Sequence, residues 1–292
     1  RVLSSKFAIP LMIGYLNKEN RELNDAEWNK LLYWYIHTFL WGRYAGSTES
    51  VLARDLNVVN NGEGIDGLIN QLRQDRADLT IKPEDFWGWG TGARFYPLLY
   101  LLTRMNKSKD FSSGIELKNY LLGKNSSLEI HHIFPKALLY KNGRTKSVVN
   151  SLANYTFITR KTNEDISDEK PEKYIPIYME KQPGAIESHW IPTNDKELFK
   201  VENYERFLDE RRKLLAESAN NFLNSLLDNK VDKVEITDYA NRKGVSNDIN
   251  EDEKILELSY WMEENGLSGG EINYELKVSD NESIIIDLAW PD

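Results

Sequence analysis

Two adjacent histidines and two asparagines lie close together in the chain and have side chains suited to phosphodiester chemistry. His131 and His132 end a short apolar run, while Asn154 opens a second apolar run and Asn163 follows it. An imidazole with a pKa of about 6.5 suits proton abstraction at neutral pH. Imidazole nitrogen and amide oxygen are also ligands for divalent metal ions. We therefore interpret this segment as a phosphodiester-cleaving site that combines a base with one metal ion.

Two strands and a helix are needed to position these side chains. The runs Leu128 to Ile133 and Tyr155 to Thr159 are short, apolar and partly β-branched, which is typical of strands. A polar loop containing Asn142-Gly143 is expected to join them, and a short helix is expected from Thr162. The sequence therefore predicts a two-stranded hairpin followed by a helix.

The neighbouring positions of His131 and His132 set a geometric condition for this site. Adjacent side chains in a regular strand point to opposite faces, so the pair serves one centre only if the strand turns at that point. Pro135 favours such an ending, because proline lacks the N–H that a strand ladder uses. We expect the first strand to end at the histidine pair.

Helical periodicity dominates the rest of the chain. Residues 1–125 carry apolar residues at three- and four-residue spacing, as in Trp28 to Leu40, and Tyr204 to Leu227 repeats this pattern. Pro171 opens another predicted helix that runs through Glu180. The predicted fold class is α+β and mostly α-helical, with an embedded two-strand motif and a small α/β region at the C-terminal end.

Three regions are predicted along the chain. Residues 1–125 form a helical region, residues 126–230 hold the strands with flanking helices, and residues 231–292 form an acidic tail domain that we expect to be incomplete. In the tail, a helix is expected over Ile255 to Met262. A hairpin is expected from Glu271 to Val278 and from Ser283 to Ala289.

Charge is distributed unevenly, and this bears on a nucleic-acid substrate. The net charge of −9 comes from residues 228–292, which hold 17 acidic and 6 basic side chains, whereas residues 1–227 are close to neutral at +2. Residues 131–175 hold eight basic and five acidic side chains, a local excess that phosphate can approach. Arg160 and Lys161 are candidates for phosphate contact, although two solvated charges explain them equally well.

Composition excludes several other classes of site. Without cysteine, the chain has no disulfide, thiolate nucleophile or cysteine-bound zinc. No apolar run approaches the length of a membrane span and no signal-peptide pattern opens the chain, which predicts a cytoplasmic protein with no membrane partner. The Gly88 to Gly92 segment lacks the Lys-Ser/Thr of a phosphate loop, so nucleotide binding there is rejected. His37 and His189 are expected to be structural. The eight tryptophans suggest base stacking, but Trp28, Trp34 and Trp41 fall at helical spacing among aliphatic residues, which favours core packing.

The same residues resemble a known family. The pattern L-E-x-H-H-I-F-P and the spacing from Asn154 to Asn163 resemble the HNH, or ββα-metal, endonuclease motif. Residues 1–227 are more closely similar to the C-terminal half of GmrSD-type modification-dependent restriction enzymes. That similarity is carried by Trp41-Gly42-Arg43-Tyr44, Phe95 to Tyr100 and Asn150 to Asn154.

The resemblance implies roles for individual residues and for partners. His132 resembles the catalytic general base, Asn154 the residue that fixes the loop and orients His132, and His131 and Asn163 the metal ligands. It implies a divalent ion, Mg²⁺ first with Mn²⁺ or Zn²⁺ as alternatives, and double-stranded, base-modified DNA as a substrate in antiphage defence. It further implies a ParB-like NTPase domain ahead of Arg1, and pairing of two chains is left open.

Two other functions remain open at this point. The hairpin can be a fold element in a non-cutting DNA-binding or assembly module of a defence system. A nuclease directed at RNA is equally compatible with these residue types. His132 and Asn163 together favour cutting, because a binding module has no need of a base beside a metal ligand.

Overall fold

The computed structural model describes residues 5–117, 128–230, 271–279 and 282–289. Within these ranges the chain is mostly helical and contains two separate two-stranded antiparallel sheets. The predicted α+β, mostly α-helical class is therefore confirmed at this level. The tail helix expected over 255–262 lies outside the described residues.

The N-terminal part is a layer of helices. Asn24 starts the second helix, because its side chain accepts a hydrogen bond from the Glu27 N–H and the Glu27 carboxylate accepts one from the Asn24 N–H. A 3₁₀ turn, Pro83–Trp87, precedes the last helix of this layer. The helices are α1 (Ala8–Glu19), α2 (Asp25–Leu40), α3 (Thr48–Asn60), α4 (Gly64–Asp75) and α5 (Tyr96–Met105).

The predicted hairpin and its following helix are present. Strands β1 (Leu128–His132) and β2 (Tyr155–Thr159) pair antiparallel with His131 opposite Thr156 and His132 opposite Tyr155. The next helix begins at Arg160, two residues before the predicted start at Thr162. The earlier start follows from Thr159, whose hydroxyl accepts a hydrogen bond from the Thr162 N–H and so caps the first turn.

Helices also occupy the connection between the strands and the chain beyond them. The connection was predicted to be a polar loop, but it contains two short helices on either side of Gly143, whose φ of 73° reverses the chain. The remaining helices are α6 (Lys136–Lys141), α7 (Lys146–Val149), α8 (Arg160–Ile166), α9 (Pro171–Lys181) and α10 (Tyr204–Leu227).

Both faces of β2 are buried, and they pack on two different hydrophobic cores. Tyr155 and Phe157 contact the core of the helical layer, while Ile158 belongs to a second core with α9 and Phe111. Helix α10 joins the two, because its first turns pack in the second core and its last turns in the first. Hydrophobic contacts thus join residues before position 125 to residues after it, and the predicted domain boundary at this position stays a prediction.

The tryptophans do not all pack as expected. Trp34 is fully buried in α2 and Trp41 is partly buried, as predicted for core residues. The prediction is wrong for Trp28, which is 48% exposed. At about 100° per residue, Trp28 lies about 120° around the helix from Trp34, so it points away from the face on which Trp34 and Trp41 pack.

A buried arginine ties α10 to the hairpin. The Arg211 guanidinium donates to the carbonyl oxygens of Ala153 (2.8 Å) and Tyr155 (2.7 Å), and to that of His189 at 3.1 Å. Arg211 is fully buried, and burial lowers its pKa to about 9. Its side chain therefore fixes the backbone on both sides of Asn154.

A second hairpin closes the described part of the chain. Strands β3 (Glu271–Ser279) and β4 (Glu282–Ala289) pair antiparallel with Glu271 opposite Ala289. The predicted tail hairpin is confirmed, with each strand one residue longer at the turn. Along the described residues, no helix has the length and apolar character needed to cross a bilayer.

Arg211→Met should destabilise the fold. The substitution keeps most of the apolar stem but leaves three backbone carbonyls without a donor, which costs on the order of 3 kcal/mol of unfolding free energy. Urea unfolding followed by circular dichroism measures this loss. Arg206→Met on the same helix is the matched control, because Arg206 is 58% exposed and pairs only at the surface with Asp195. Equal stabilities for the two variants would contradict the assigned role of Arg211.

Candidate active site

One face of β1 and the start of α8 form a polar cluster that we call the ligand face: Glu129, His131 and Asn163. Glu129 and His131 are two residues apart on β1 and so share a face of the strand. The Asn163 amide lies between them, with Oδ1 2.8 Å from His131 Nδ1 and Nδ2 donating to Glu129 Oε2 at 2.9 Å. These contacts bring the two predicted metal ligands together and add a carboxylate.

His131 is almost completely buried, with 2% of its surface exposed. Its Nε2 lies 3.3 Å from the Tyr174 hydroxyl, which donates to the carbonyl oxygen of Ile133 at 2.9 Å. Burial lowers the pKa of His131 to about 4, against a raising effect of the Asn163 hydrogen bond. His131 is therefore a neutral imidazole at physiological pH, as a metal ligand must be.

His132 lies on the opposite face of β1 and is half-buried. Its Nε2 is 3.2 Å from Asn150 Oδ1, and its ring packs edge-on against Tyr155 at 4.7 Å between centroids. Burial lowers the pKa of His132 to about 4, partly offset by the Asn150 hydrogen bond, and nearby Lys136 lowers it further. The imidazole is thus neutral at pH 7 and can accept a proton.

The orientation of Asn150 determines which nitrogen of His132 carries the proton. Asn150 Nδ2 donates to the carbonyl oxygen of Lys146 at 2.8 Å, and Oδ1 accepts from the Tyr155 hydroxyl at 3.3 Å. The amide therefore presents its oxygen to His132, so His132 Nε2 must donate to it. The Nδ1 lone pair of His132 is the basic one.

Asn154 is buried completely and acts on the backbone rather than on His132. Its Oδ1 accepts from the Phe134 N–H at 2.9 Å, and its Nδ2 donates to the carbonyls of Phe134 (3.1 Å) and Val149 (3.0 Å). The residue that orients His132 is Asn150, which corrects the second part of the role predicted for Asn154. Its first part, fixing of the loop, agrees with these contacts.

The two histidines do not share a partner. His131 faces α8 and α9, whereas His132 faces the helical layer, as strand geometry requires for neighbours. Strand β1 ends at His132, and the Ile133 N–H then donates to the Asn154 carbonyl at 2.9 Å. The strand thus ends at the histidine pair as expected, and only a substrate at this end of β1 can meet both faces.

The two predicted phosphate-binding cations are engaged in ion pairs. Arg160 Nε contacts Glu129 Oε1 at 2.8 Å, and Lys161 Nζ contacts Asp165 Oδ1 at 3.0 Å. Arg160 lies beside the ligand face and holds the pKa of the Glu129 carboxyl below its usual range, together with Asn163. Contact of either cation with DNA stays a prediction.

Sequence reasoning missed Asn150 and Glu129. Glu129 had a detectable signal, because an acidic residue two positions before a candidate ligand on a strand shares its face. For Asn150 there was no equivalent signal, since its approach to His132 depends on the path of α7 and the turn after it. Asn154, nearer to the second strand, was the natural choice from sequence.

The donor set of the ligand face suits a hard or borderline divalent ion. It offers one carboxylate and one amide oxygen, which suit magnesium and manganese with water completing the shell, and one imidazole, which is a more usual ligand of zinc. Within the described ranges, no group of three or more His, Cys, Asp or Glu side chains is placed to hold a metal. The third donor here is the amide of Asn163.

The remaining histidines are structural, as predicted. His37 is 1% exposed in α2, where its Nδ1 accepts from Trp41 Nε1 at 2.9 Å. His189 is fully buried, with Nδ1 2.6 Å from the Thr156 hydroxyl and Nε2 2.9 Å from the Lys109 carbonyl. Neither imidazole belongs to the ligand face.

Comparison with known proteins adds little to this geometry. No protein-family model matches the chain. The chain is similar to an uncharacterized protein of Methanocaldococcus jannaschii, with 27% identity over 243 residues. The similarity covers 72% of this chain but 39% of that protein, so the chain spans about two fifths of its relative's length.

Asn150→Asp should raise the pKa of His132. A carboxylate in place of the amide favours the protonated imidazole, whereas the wild-type pKa is held at about 4 by burial. A pH titration of the His132 ring resonances by NMR measures the change. Asn142→Asp is the control, because Asn142 is exposed in the same connection and its side chain donates to the carbonyl oxygen of Leu138 instead. A rise of the His132 pKa in the control but not in Asn150→Asp would contradict the assignment of Asn150.

Proposed function

We propose that this chain is a metal-dependent HNH endonuclease that hydrolyses phosphodiester bonds of double-stranded DNA. The observation that carries the proposal is the neutral His132, whose basic Nδ1 lies at the end of β1, on the strand face opposite the ligand face. The order of strand, strand and helix, with an asparagine cross-linking the loop, supports the same function. The resemblance of the motif to HNH enzymes agrees with it.

His132 acts as the general base. A phosphate placed at the end of β1 brings an attacking water to Nδ1, which takes the proton as the water oxygen attacks phosphorus and the 3′-oxygen leaves. Asn150 holds the imidazole through Nε2 and stabilises the imidazolium that forms, because its carbonyl oxygen accepts from that N–H. A positioned base of this kind typically contributes about 10²- to 10⁴-fold to the rate.

Glu129, His131 and Asn163 would hold the divalent ion. As the structure stands, His131 Nδ1 donates to Asn163 Oδ1, because Asn163 Nδ2 donates to Glu129. Ligation through Nδ1 therefore requires the proton to move to Nε2, where the Tyr174 oxygen can accept it while that hydroxyl donates to Ile133. When bound, magnesium or manganese supplies Lewis-acid stabilisation of the charge that develops on the phosphate and the leaving oxygen, with zinc as the alternative.

The pH dependence follows from the lowered pKa of His132. A base is active when unprotonated, so lowering its pKa from 6.5 to about 4 keeps it active at mildly acidic pH. The acid limb of the cleavage rate should therefore lie well below pH 6.5. Above that limb, protonation of His132 no longer limits the rate.

One observation favours a second function, a non-cutting DNA-binding or assembly module. Arg160 and Asn163 each occupy one carboxylate oxygen of Glu129, so an ion on the ligand face competes with a guanidinium and an amide N–H. In a nuclease the displaced Arg160 becomes available for the DNA phosphate, together with Lys161. Base modification of the substrate and a ParB-like NTPase partner domain are parts of the proposal that the resemblance alone supports. The cytoplasmic location stays a prediction from the sequence, and pairing of two chains stays open.

His132→Ala should abolish cleavage. Without the base, the nicking rate of supercoiled plasmid in magnesium or manganese should fall by about 10²-fold or more, while DNA binding is retained. Gel electrophoresis of unmodified plasmid and of plasmid carrying glucosylated hydroxymethylcytosine measures this directly. His37→Gln serves as the histidine control, because His37 lies in the helical layer. DNA binding by wild type without nicking of either substrate would favour the non-cutting module.

Glu129→Gln and Asn163→Ala should weaken metal binding. Each removes an oxygen donor of the ligand face. Loss of a residue that only supports a metal ligand often lowers affinity about tenfold, so manganese affinity should fall by at least as much here. Electron paramagnetic resonance of free Mn²⁺ measures binding without reference to activity. Asp165→Asn is the matched control, since this exposed carboxylate on α8 pairs with Lys161 and not with the ligand face. Unchanged manganese affinity in Glu129→Gln and in Asn163→Ala would show that the ion does not bind at the ligand face.

A further inference from the structure

Two exposed tryptophans lie beside the segment that carries Asn150. Trp87 is 62% exposed and Trp89 is 51% exposed, whereas Phe86 between α4 and α5 is fully buried and packs on Phe95. Single exposed apolar residues are common, but two large indoles around one cavity are not explained by core packing. Their placement indicates a surface that receives a ligand.

Backbone hydrogen bonds fix these tryptophans to the candidate active site. The Gly90 N–H donates to the Asn150 carbonyl at 2.9 Å, and the Leu152 N–H donates to the Gly88 carbonyl at 3.0 Å. Trp89 and Ser151 form a bridge between the two segments. We call the segment that carries Trp87 and Trp89 the tryptophan loop. Because Asn150 also contacts His132, this loop and the proposed base are held by the same short stretch of chain.

A cavity of about 260 Å³ opens between this loop, α7 and α10, and we call it the tryptophan pocket: Trp87, Trp89, Ser147, Ser151, Asp209 and Arg212. Arg212 donates to Asp209 Oδ1 at 2.8 Å and to the Ser151 hydroxyl at 3.2 Å. Its guanidinium lies 5.9 Å from the Trp87 ring, and no acceptor for its Nε–H is found among the described residues. The pocket thus combines aromatic faces with both donors and acceptors.

The charges of the pocket favour a base over a phosphate. Asp209 is paired with Arg212, and Glu205, which also lines the cavity, is paired with Arg144 at 2.8 Å, so the wall carries no excess of positive charge. Phosphate binding needs an excess of cations. A nucleobase is uncharged, stacks on indole, and presents donors and acceptors to carboxylate, guanidinium and hydroxyl groups.

We propose that the tryptophan pocket receives one unstacked nucleobase of the DNA strand bound at the end of β1. This inference rests on the proposed function, because it concerns how the same DNA is bound near His132. Trp87 and Trp89 supply the stacking surfaces, and Arg212, Asp209 and the two serines bond to the edge of the base. Removing a base from the duplex stack is least costly where it is unpaired, so unpaired bases are bound preferentially.

Binding is measured in the absence of divalent metal, so that cleavage of the DNA does not affect the measured affinity. The full 292-residue chain is titrated with three fluorescein-labelled short duplexes: fully paired, carrying one bulged adenine, and carrying an abasic site at the bulge. Wild type should bind the bulged duplex about tenfold more tightly than the abasic one, as stacking of one base on an aromatic side chain predicts. Tryptophan fluorescence should be quenched by the bulged duplex alone.

Variants locate this preference in the pocket. Trp89→Ala and Trp87→Ala should remove the preference while leaving affinity for the abasic duplex unchanged, and Trp89→Phe should restore much of it. Trp28→Ala is the matched control, because Trp28 is similarly exposed on α2 and lies outside the pocket. The wild-type quenching measurement needs no variant and therefore decides the question if a substitution prevents folding.

Several outcomes would overturn the proposal. Equal affinity for the bulged and abasic duplexes, no binding to any duplex, or a preference unchanged in Trp89→Ala would each do so. Self-association of the chain that is lost in Trp89→Ala, without base preference, would assign the pocket to a second copy instead. A base preference without plasmid cutting would contradict the proposed nuclease activity but support base binding in the tryptophan pocket. Plasmid cutting without a base preference would support the nuclease activity but contradict base binding in the pocket.

Discussion

The buried amide of Asn154 is the interaction on which the rest of the site depends. It bonds to the backbone of Phe134 and Val149, and the Asn154 carbonyl accepts from Ile133, so both ends of the connection between β1 and β2 are closed by one residue. These bonds end β1 directly after His132. They also set the start of the segment that brings Asn150 to the imidazole. An asparagine suits this position because one short side chain carries an acceptor oxygen and an NH₂ group with two donors.

Burial of the hairpin on both faces has a consequence for the chemistry of its two histidines. Because β2 packs on two cores, each histidine of β1 lies in a separate low-dielectric environment, and both have lowered pKa values. Two neighbouring imidazoles are therefore kept neutral without an acidic partner. Their different neighbours separate their proposed roles. His131 contacts the Asn163 amide and the Tyr174 hydroxyl, which would position it as a metal ligand. His132 contacts Asn150 through Nε2, which leaves Nδ1 as its basic nitrogen.

Helix α10 and the tryptophan loop make the helical layer part of the site rather than a support for it. Arg211 holds the backbone on either side of Asn154, and the next residue, Arg212, lines the tryptophan pocket. The loop after the Pro83–Trp87 turn bonds to Asn150 and Leu152. The substrate that we propose at the end of β1 would thus lie near groups from the hairpin, from α10 and from the Pro83–Trp87 turn.

Most of the local elements and the residue types of the candidate site follow from local patterns in the sequence. Apolar patterning predicted both hairpins and the bounds of α10, because periodicity reports local burial. Spacing of His131, His132, Asn154 and Asn163 identified the segment, and the contact of His131 with Asn163 agrees with it. The folded chain was needed to show which asparagine orients His132, that Glu129 joins the ligand face, and that Trp87 and Trp89 are exposed beside Asn150. These facts depend on contacts between segments distant in sequence, which periodicity and spacing along one strand or helix do not encode.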